Sequence, residues 1–224
     1  VRREFLVTNG DRHFHETIWF ADKELTDIFD FNYLYGTKAA LADPTGLILT
    51  ASFAEKVFGK TDVVGQTLLI NHEEALSVQA VIEDLPKNSH FNSSFITPSV
   101  DLYAPLEALN RLSGWDLNGN WHNIDGGNQV YVMTKTPMAL DALEVKLNAI
   151  FQRHAPVETK QNFINSLSAN NIKRANLQLW DMVGMPVIES VEILGLLVLI
   201  IAIVNYTNLA TAQSMGRARE VGMR

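Results

Sequence analysis

The chain has no cysteine among its 224 residues. A disulfide framework and a cysteine-ligated metal site are therefore excluded. There is no Gly-x-x-x-x-Gly-Lys-Ser/Thr loop to wrap a nucleotide's phosphates in backbone N–H groups. A Gly-x-Ser-x-Gly elbow and a His-Glu-x-x-His pair are absent too, which removes two common hydrolase signatures. No period repeats, and no segment is of low complexity. Positive charge is scarce: 18 Lys and Arg stand against 25 Asp and Glu. Three of those basic residues and one of the acidic ones lie beyond residue 192. Residues 1–192 thus hold 15 basic and 24 acidic side chains, a formal net charge of −9. That balance argues against nucleic acid or an anionic lipid surface as the partner of this region, since both select basic clusters. Arg2 and Arg3 have no apolar run behind them, so the first residues do not read as a signal peptide.

Against those absences stands one long apolar stretch. Between Glu192 and Arg217 the chain carries no charge, and Ile193 to Val204 is broken only by Gly195. A helix rising about 1.5 Å per residue over Ile193 to Gly216 crosses a hydrocarbon core about 30 Å thick. Glu189 and Glu192 precede it, while Arg217, Arg219 and Arg224 follow. By the positive-inside rule the C-terminus is cytoplasmic and everything before residue 190 is outside. A buried helix in a soluble core is the alternative, but core helices rarely need so long an uncharged span. An outside domain with no export signal of its own, and an abrupt end at Arg224, suggest a fragment of a larger membrane protein.

Upstream, the pattern predicts an α+β domain of small strand-helix-strand units rather than a long parallel array. Residues 13–20 read as a strand. Leu25, Ile28, Phe29 and Phe31 fall at helical spacing in a segment closed by Gly36. Gly46 to Thr50 is a short strand, followed by the helix ASFAEKVFG, with Ser52 as its N-cap, Glu55 at capping-box spacing and Gly59 as its stop. Gln66 to Ile70 and Leu76 to Ile82 make a hairpin. Leu85 to His90 breaks the sheet, and Phe95 to Pro98 is another short strand. Leu102 to Leu112 has helical periodicity, and the Gly- and Asn-rich loop after it is pinned by Trp115 and Trp121. Gln129 to Met133 extends. Ala139 to Phe151 is an amphipathic helix with Leu140, Leu143, Leu147 and Ile150 on one face. Ala155 to Asn171 is weakly patterned, and Leu177 to Trp180 is a final strand. The expected division is 1–186 outside the membrane, 187–216 through it, and 217–224 at the start of a cytoplasmic segment.

Few side chains invite chemistry. His13 and His15, two apart on a strand, share a face and could hold a metal, but no third ligand is evident. His90 and His122 lie in loops. Glu83 and Asp84 are adjacent, so their side chains diverge if the strand continues. In the membrane helix Asn205, Thr207 and Asn208 are the polar interruptions. They are either interhelical hydrogen-bonding groups or the lining of a passage, or else they lie at the cytoplasmic interface where water solvates them. Arg217, Arg219, Glu220 and Gly222 continue the helix beyond the bilayer, to anchor on headgroups or face a cytoplasmic partner.

Three stretches resemble the permease subunits of MacB/FtsX-type ABC transporters. They are Leu49-Thr-Ala-Ser-Phe-Ala-Glu-Lys-Val-Phe-Gly59 with Asp62-Val-Val-Gly-Gln66, then Val81 to His90, then Asn205 to Arg224. The last is similar to the end of the family's second transmembrane helix and the R-x-x-E-x-G-x-R signature after it. The resemblance covers most of the chain and is weakest over Leu102 to Asn128 and Ala155 to Asn176. It implies a MacB-like periplasmic core domain in residues 1–186, in a bacterial inner-membrane permease with four transmembrane helices, of which this chain has one. It also implies mechanotransmission from a cytoplasmic ABC ATPase, which binds ATP as a separate subunit or domain. No cofactor or catalysis is expected in this chain. The implied partners are that ATPase, a second permease copy and a periplasmic adaptor. The implied cargo is hydrophobic or peptidic, exported or extracted. Arg217, Arg219, Glu220 and Gly222 are then the start of the region facing the ATPase. An FtsX-like scaffold that signals to a cell-wall hydrolase, or a membrane-anchored sensor domain, are the alternatives.

Overall fold

The structure is a computed structural model, and it describes residues 1–86, 89, 91, 100–115, 121, 130–136, 138–162 and 186–223. The chain divides into two compact units, Val1–Asn171 and Ile172–Arg224. In the first, seven strands form one mixed sheet: β1 (Arg2–Asn9), β2 (Arg12–Ala21), β3 (Tyr33–Gly36), β4 (Gly46–Thr50), β5 (Thr67–Ile70), β6 (Glu74–Ile82) and β7 (Leu102–Pro105). Their order is β3-β6-β4-β7-β2-β1-β5, and β5 also pairs with β6. The sheet therefore curls until β5 touches both β1 and β6, closing a ring of six strands with β3 added outside it.

The closure follows from period-two patterning. Each ring strand turns two alternate apolar residues to one core: Phe5 and Val7, Ile18 and Phe20, Leu47 and Leu49, Leu68 and Ile70, Leu76 and Val78, Leu102 and Ala104. Helix α2 (Ala51–Phe58) adds Phe53, Ala54 and Val57, and α3 (Leu106–Ser113) adds Ala108 and Leu109. The residues between them, Trp19, Ile48 and Tyr103, face a second, aromatic core on the other side of the sheet. Burying one such large apolar side chain stabilises by about 1.5–3 kcal/mol, so both faces contribute.

The α+β class and the strand-helix units hold, with three local corrections. The expected helix over Leu25 to Gly36 shrinks to α1 (Leu25–Ile28). Phe29, Phe31 and Tyr33 then alternate in extended chain and enter the aromatic core, and Gly36 ends a strand rather than a helix. Leu102–Pro105 is a strand, not the first turn of a helix. It lies between β2 and β4 with all four residues buried, so it shows the continuous apolar run of an enclosed strand instead of alternation. Residues 130–133 form no strand, and Val130 and Val132 are exposed.

The helix expected over Ala139 to Phe151 is present as α4 (Leu140–His154); on its apolar face Leu140 and Ile150 are exposed and Leu143 and Leu147 half-buried, and Phe151 is its one buried residue. Part of the weakly patterned stretch after it is helical, as α5 (Val157–Asn162). Trp115 lies under the Arg3 guanidinium, 4.5 Å from ring centroid to cation, and Trp121 stacks on His154 at 4.9 Å. The strands expected at Phe95 to Pro98 and Leu177 to Trp180, and most of the loop between Trp115 and Gln129, lie outside the described residues.

Helix α2 is capped differently from the expected Ser52–Glu55 box. Thr50 is the N-cap, its hydroxyl oxygen accepting from the Phe53 N–H at 3.3 Å. The Ser52 N–H donates instead to the Asp84 carboxylate at 2.9 Å, and the Ser52 hydroxyl donates to the same group. Asp84 thus supplies the negative charge at the helix N-terminus from 32 residues away. Asp84→Ala should cost about 1 kcal/mol, the usual value of a lost cap. Thermal unfolding measures this, and an unchanged midpoint would mean the contact carries no energy.

Candidate functional site

The second unit contains the longest element, α6 (Val187–Gly222), an unbroken helix of 36 residues. No proline falls inside it, and Gly195 does not interrupt it. At about 1.5 Å per residue it is about 54 Å long, nearly twice a hydrocarbon core. Val187–Met215 is long and apolar enough to cross a membrane, and every residue from Ile188 to Met215 is exposed. A helix with apolar side chains on all sides and no protein cover has lipid as its natural solvent.

All the polar positions singled out from sequence fall on this helix, but not on one face. At about 100° per residue, Asn205 and Asn208 lie about 60° apart, whereas Thr207 is about 160° away from Asn205. The faces also differ in hydrogen bonding. Thr207 donates its hydroxyl to the Ile203 carbonyl at 2.8 Å, Thr211 to the Thr207 carbonyl at 2.8 Å, and Ser214 to the Thr211 carbonyl at 2.9 Å. Each hydroxyl on that side is satisfied by its own backbone, which makes it compatible with lipid. The carboxamides of Asn205 and Asn208 have no hydrogen-bond partner among the described residues. The midpoint of the uncharged stretch Ile193 to Gly216 falls between Val204 and Asn205. Asn205 adjoins that midpoint, and Asn208 is about 5 Å closer to the basic end. Arg217 and Gly222 are exposed in the last turns, and Arg219 and Glu220 lie on the same helix.

The other candidates in the first unit are ordinary surface contacts. His13 packs edge-on against His72, ring centroids 5.3 Å apart, with its Nδ1 3.1 Å from the Thr8 hydroxyl. His15 faces Glu4 at 4.0 Å instead. Among the described residues no group of three His, Cys, Asp or Glu is placed to hold a metal. Glu83 accepts from the Asn32 amide at 3.0 Å, while Asp84 caps α2. His90 and His122 lie outside the described residues.

The aromatic core holds what sequence reasoning missed. Trp19 Nε1, Tyr33 OH and Tyr103 OH are buried with no hydrogen-bond partner among the described residues. Tyr103, enclosed between β2 and β4, has its phenol pushed far above the ordinary range, by burial first and then by the charges of Asp101 and Tyr131. Burial also pushes Tyr131 up to about 12.

No family profile matches the chain, and no curated protein matches it. Solved structures do. A domain assigned to a permease protein from Porphyromonas gingivalis is 22% identical with a TM-score of 0.52, over 71% of this chain and 63% of that one. This chain therefore spans less than two thirds of that domain's length. The extracellular domain of the noncanonic ABC-type transporter YknZ from Gram-positive bacteria is 16% identical, with a TM-score of 0.39, over 51% of this chain and 56% of that one. The periplasmic region of MacB from Actinobacillus actinomycetemcomitans is 12% identical, with a TM-score of 0.47, over 75% and 74%. The chain shares its fold with the Porphyromonas permease domain.

Proposed function

We propose that this chain is part of an ABC transporter permease, with residues 1–186 as its periplasmic domain and α6 as a helix across the bacterial inner membrane. One observation carries the reading. A permease-domain fold is followed in the same chain by an unbroken helix of 36 residues, longer than a bilayer core is thick. The acidic residues before it and Arg217 after it orient it with the C-terminus in the cytoplasm. Coupling across a membrane requires a physically continuous element that both sides can bias, and α6 supplies one. On this reading a cytoplasmic ABC ATPase engages the helix end at Arg217, Arg219, Glu220 and Gly222. Its ATP-driven closure moves α6 and so rearranges the periplasmic domains of two permease copies. A hydrophobic or peptide cargo is exported or extracted, with a periplasmic adaptor as a further partner.

Reversing the charges, Arg219→Glu with Glu220→Arg, should leave the periplasmic domain folded and the protein inserted. In the full permease with its ATPase it should lower cargo moved per ATP hydrolysed about tenfold or more, the loss of roughly 1.4 kcal/mol of coupling. Unchanged transport overturns this role for the helix end. Capture of partners from membranes with the wild-type protein separates the export reading from its closest rival. A periplasmic adaptor supports export, and a cell-wall hydrolase replaces it with a signalling scaffold.

A further inference from the structure

We infer that the row Arg2, Trp19 and Tyr103, across β1, β2 and β7, is a binding site for a small organic carboxylate with an apolar body. The register sets the three side by side, since Arg2 is the partner of Trp19 and Trp19 the partner of Tyr103. Partners in register point to the same side of a sheet, here that of the aromatic core. Arg2 Nη1, Trp19 Nε1 and Tyr103 OH are each buried with no hydrogen-bond partner among the described residues. Trp19 is 8% exposed and Tyr103 1%, so surface water does not satisfy them. Buried polar groups are ordinarily paired, and three orphans on adjacent strands call for one common partner.

The chemistry of the donors selects the ligand. A guanidinium and an indole N–H can only donate, and a phenol donates as readily as it accepts, so the common partner is an acceptor. A carboxylate presents about four lone-pair sites on two oxygens, enough for all three. Its charge also answers the buried guanidinium nitrogen, which a neutral acceptor would leave without a counter-ion. The chain's own carboxylates on this side serve other groups. Glu4, two residues along β1, lies 4.0 Å from His15, and Asp101, two before Tyr103, accepts from the Thr50 hydroxyl at 3.1 Å. The rings around the row suit an apolar body. Phe91 stands edge-on to both Trp19 and Tyr103, at 6.1 and 6.5 Å between centroids, and Phe31 is 5.7 Å from Tyr103. Phe31 belongs to neither helix nor strand, so its shifting to admit the body breaks few backbone bonds. Arg2 is only half-buried, so the β1 end of the row is where the ligand enters.

The test uses the 224-residue chain in phosphatidylcholine vesicles, with 3-phenylpropanoate as the probe and 3-phenylpropanol as its uncharged match. The acid should change the tryptophan fluorescence saturably and raise the unfolding midpoint of the first unit, as a ligand of the folded state does. The alcohol should bind about tenfold more weakly or worse, the least that a hydrogen bond to a charged group is ordinarily worth. Arg2→Gln should raise the dissociation constant for the acid about 10- to 100-fold, and Arg2→Lys, which keeps the charge, should raise it less. Tyr103→Phe separates binding from folding. Removing an orphaned hydroxyl should leave the midpoint without probe unchanged or higher, yet raise the dissociation constant about 2- to 10-fold. No saturable change with the acid, equal binding of acid and alcohol, or wild-type affinity in Arg2→Gln and Tyr103→Phe overturns the proposal. None of these readouts involves α6, an ATPase or cargo, so their failure leaves the permease reading standing.

Discussion

Gly36→Ala should cost the first unit about 3 kcal/mol or more, the largest loss expected from adding one methyl group to a glycine among the described residues. Two penalties add. Gly36 has φ of 78°, where a side chain is strained by more than the roughly 1 kcal/mol that alanine otherwise gains or loses against glycine. A Cβ there would also lie 2.1 Å from the Gln79 carbonyl oxygen and 2.7 Å from the Ala80 Cα. Both are backbone atoms of β6, and they cannot step aside cheaply. On its other edge β6 is held by β4, whose register passes from Leu47↔Val78 to Ile48↔Ala80 and skips Gln79 as a bulge. Gly46 presses on the same bulge from that side, since a Cβ on it would meet the Ala40 carbonyl at 2.1 Å and the Gln79 side chain at 3.2 Å. Overpacking into such a rigid place adds about 1–3 kcal/mol. Gly59→Ala is the matched control. Its φ is 74°, but nothing lies within 4 Å of its Cβ, so only the backbone penalty of about 1 kcal/mol applies. Urea unfolding of the two variants side by side decides the matter, and equal losses would show that the Gln79 contact yields.

The bulge also shows what could be seen in the sequence and what could not. Features set by neighbours along the chain were legible. The uncharged run from Ile193 to Gly216 needs only composition, and the strand-helix unit from Gly46 to Gly59 needs only local turn chemistry. The hairpin of β5 and β6 turns at Asn71 and His72, both at positive φ, within reach of a local reading. Features set by distant partners were not. Leu102–Pro105 has helix-like neighbours and becomes a strand because β2 and β4 enclose it. Asp84 reaches Ser52 only once β6 has been laid beside β4. Ring closure depends on β5 meeting β1, a contact between residues some sixty apart. In the long apolar helix the sequence reading grouped Asn205, Thr207 and Asn208 together. Their separation into a satisfied face and an unsatisfied one needed the hydroxyl bonds to the backbone.

Raising the pH through 10 should unfold the first unit well before its backbone or surface charge would require it, and Tyr103→Phe should blunt that loss. An unfolded chain ionises its tyrosines near their ordinary value of about 10. In the fold, Tyr103 is raised far above that by burial, by Asp101 and by Tyr131, and Tyr131 is itself raised to about 12 by burial. The folded state therefore keeps protons that the unfolded state has released. Stability is fully present below pH 10 and falls as pH rises, by up to about 1.4 kcal/mol per pH unit for each tyrosine so held. The share of Tyr131 ends near pH 12, where it ionises in place, while that of Tyr103 continues. Near neutrality the same hydroxyl brings no benefit, because Tyr103 OH is buried without a hydrogen-bond partner among the described residues. An unpaired buried hydroxyl costs about 1–3 kcal/mol, so Tyr103→Phe should be neutral or stabilising at pH 7. The same variant should flatten the alkaline loss, and Tyr131→Phe should flatten it only below pH 12. Unfolding followed at a series of pH values, with phenolate absorbance in parallel, tests both halves. If Tyr103 ionises near pH 10 with the fold intact, water reaches its hydroxyl. In that case the aromatic core is open where β7 crosses it.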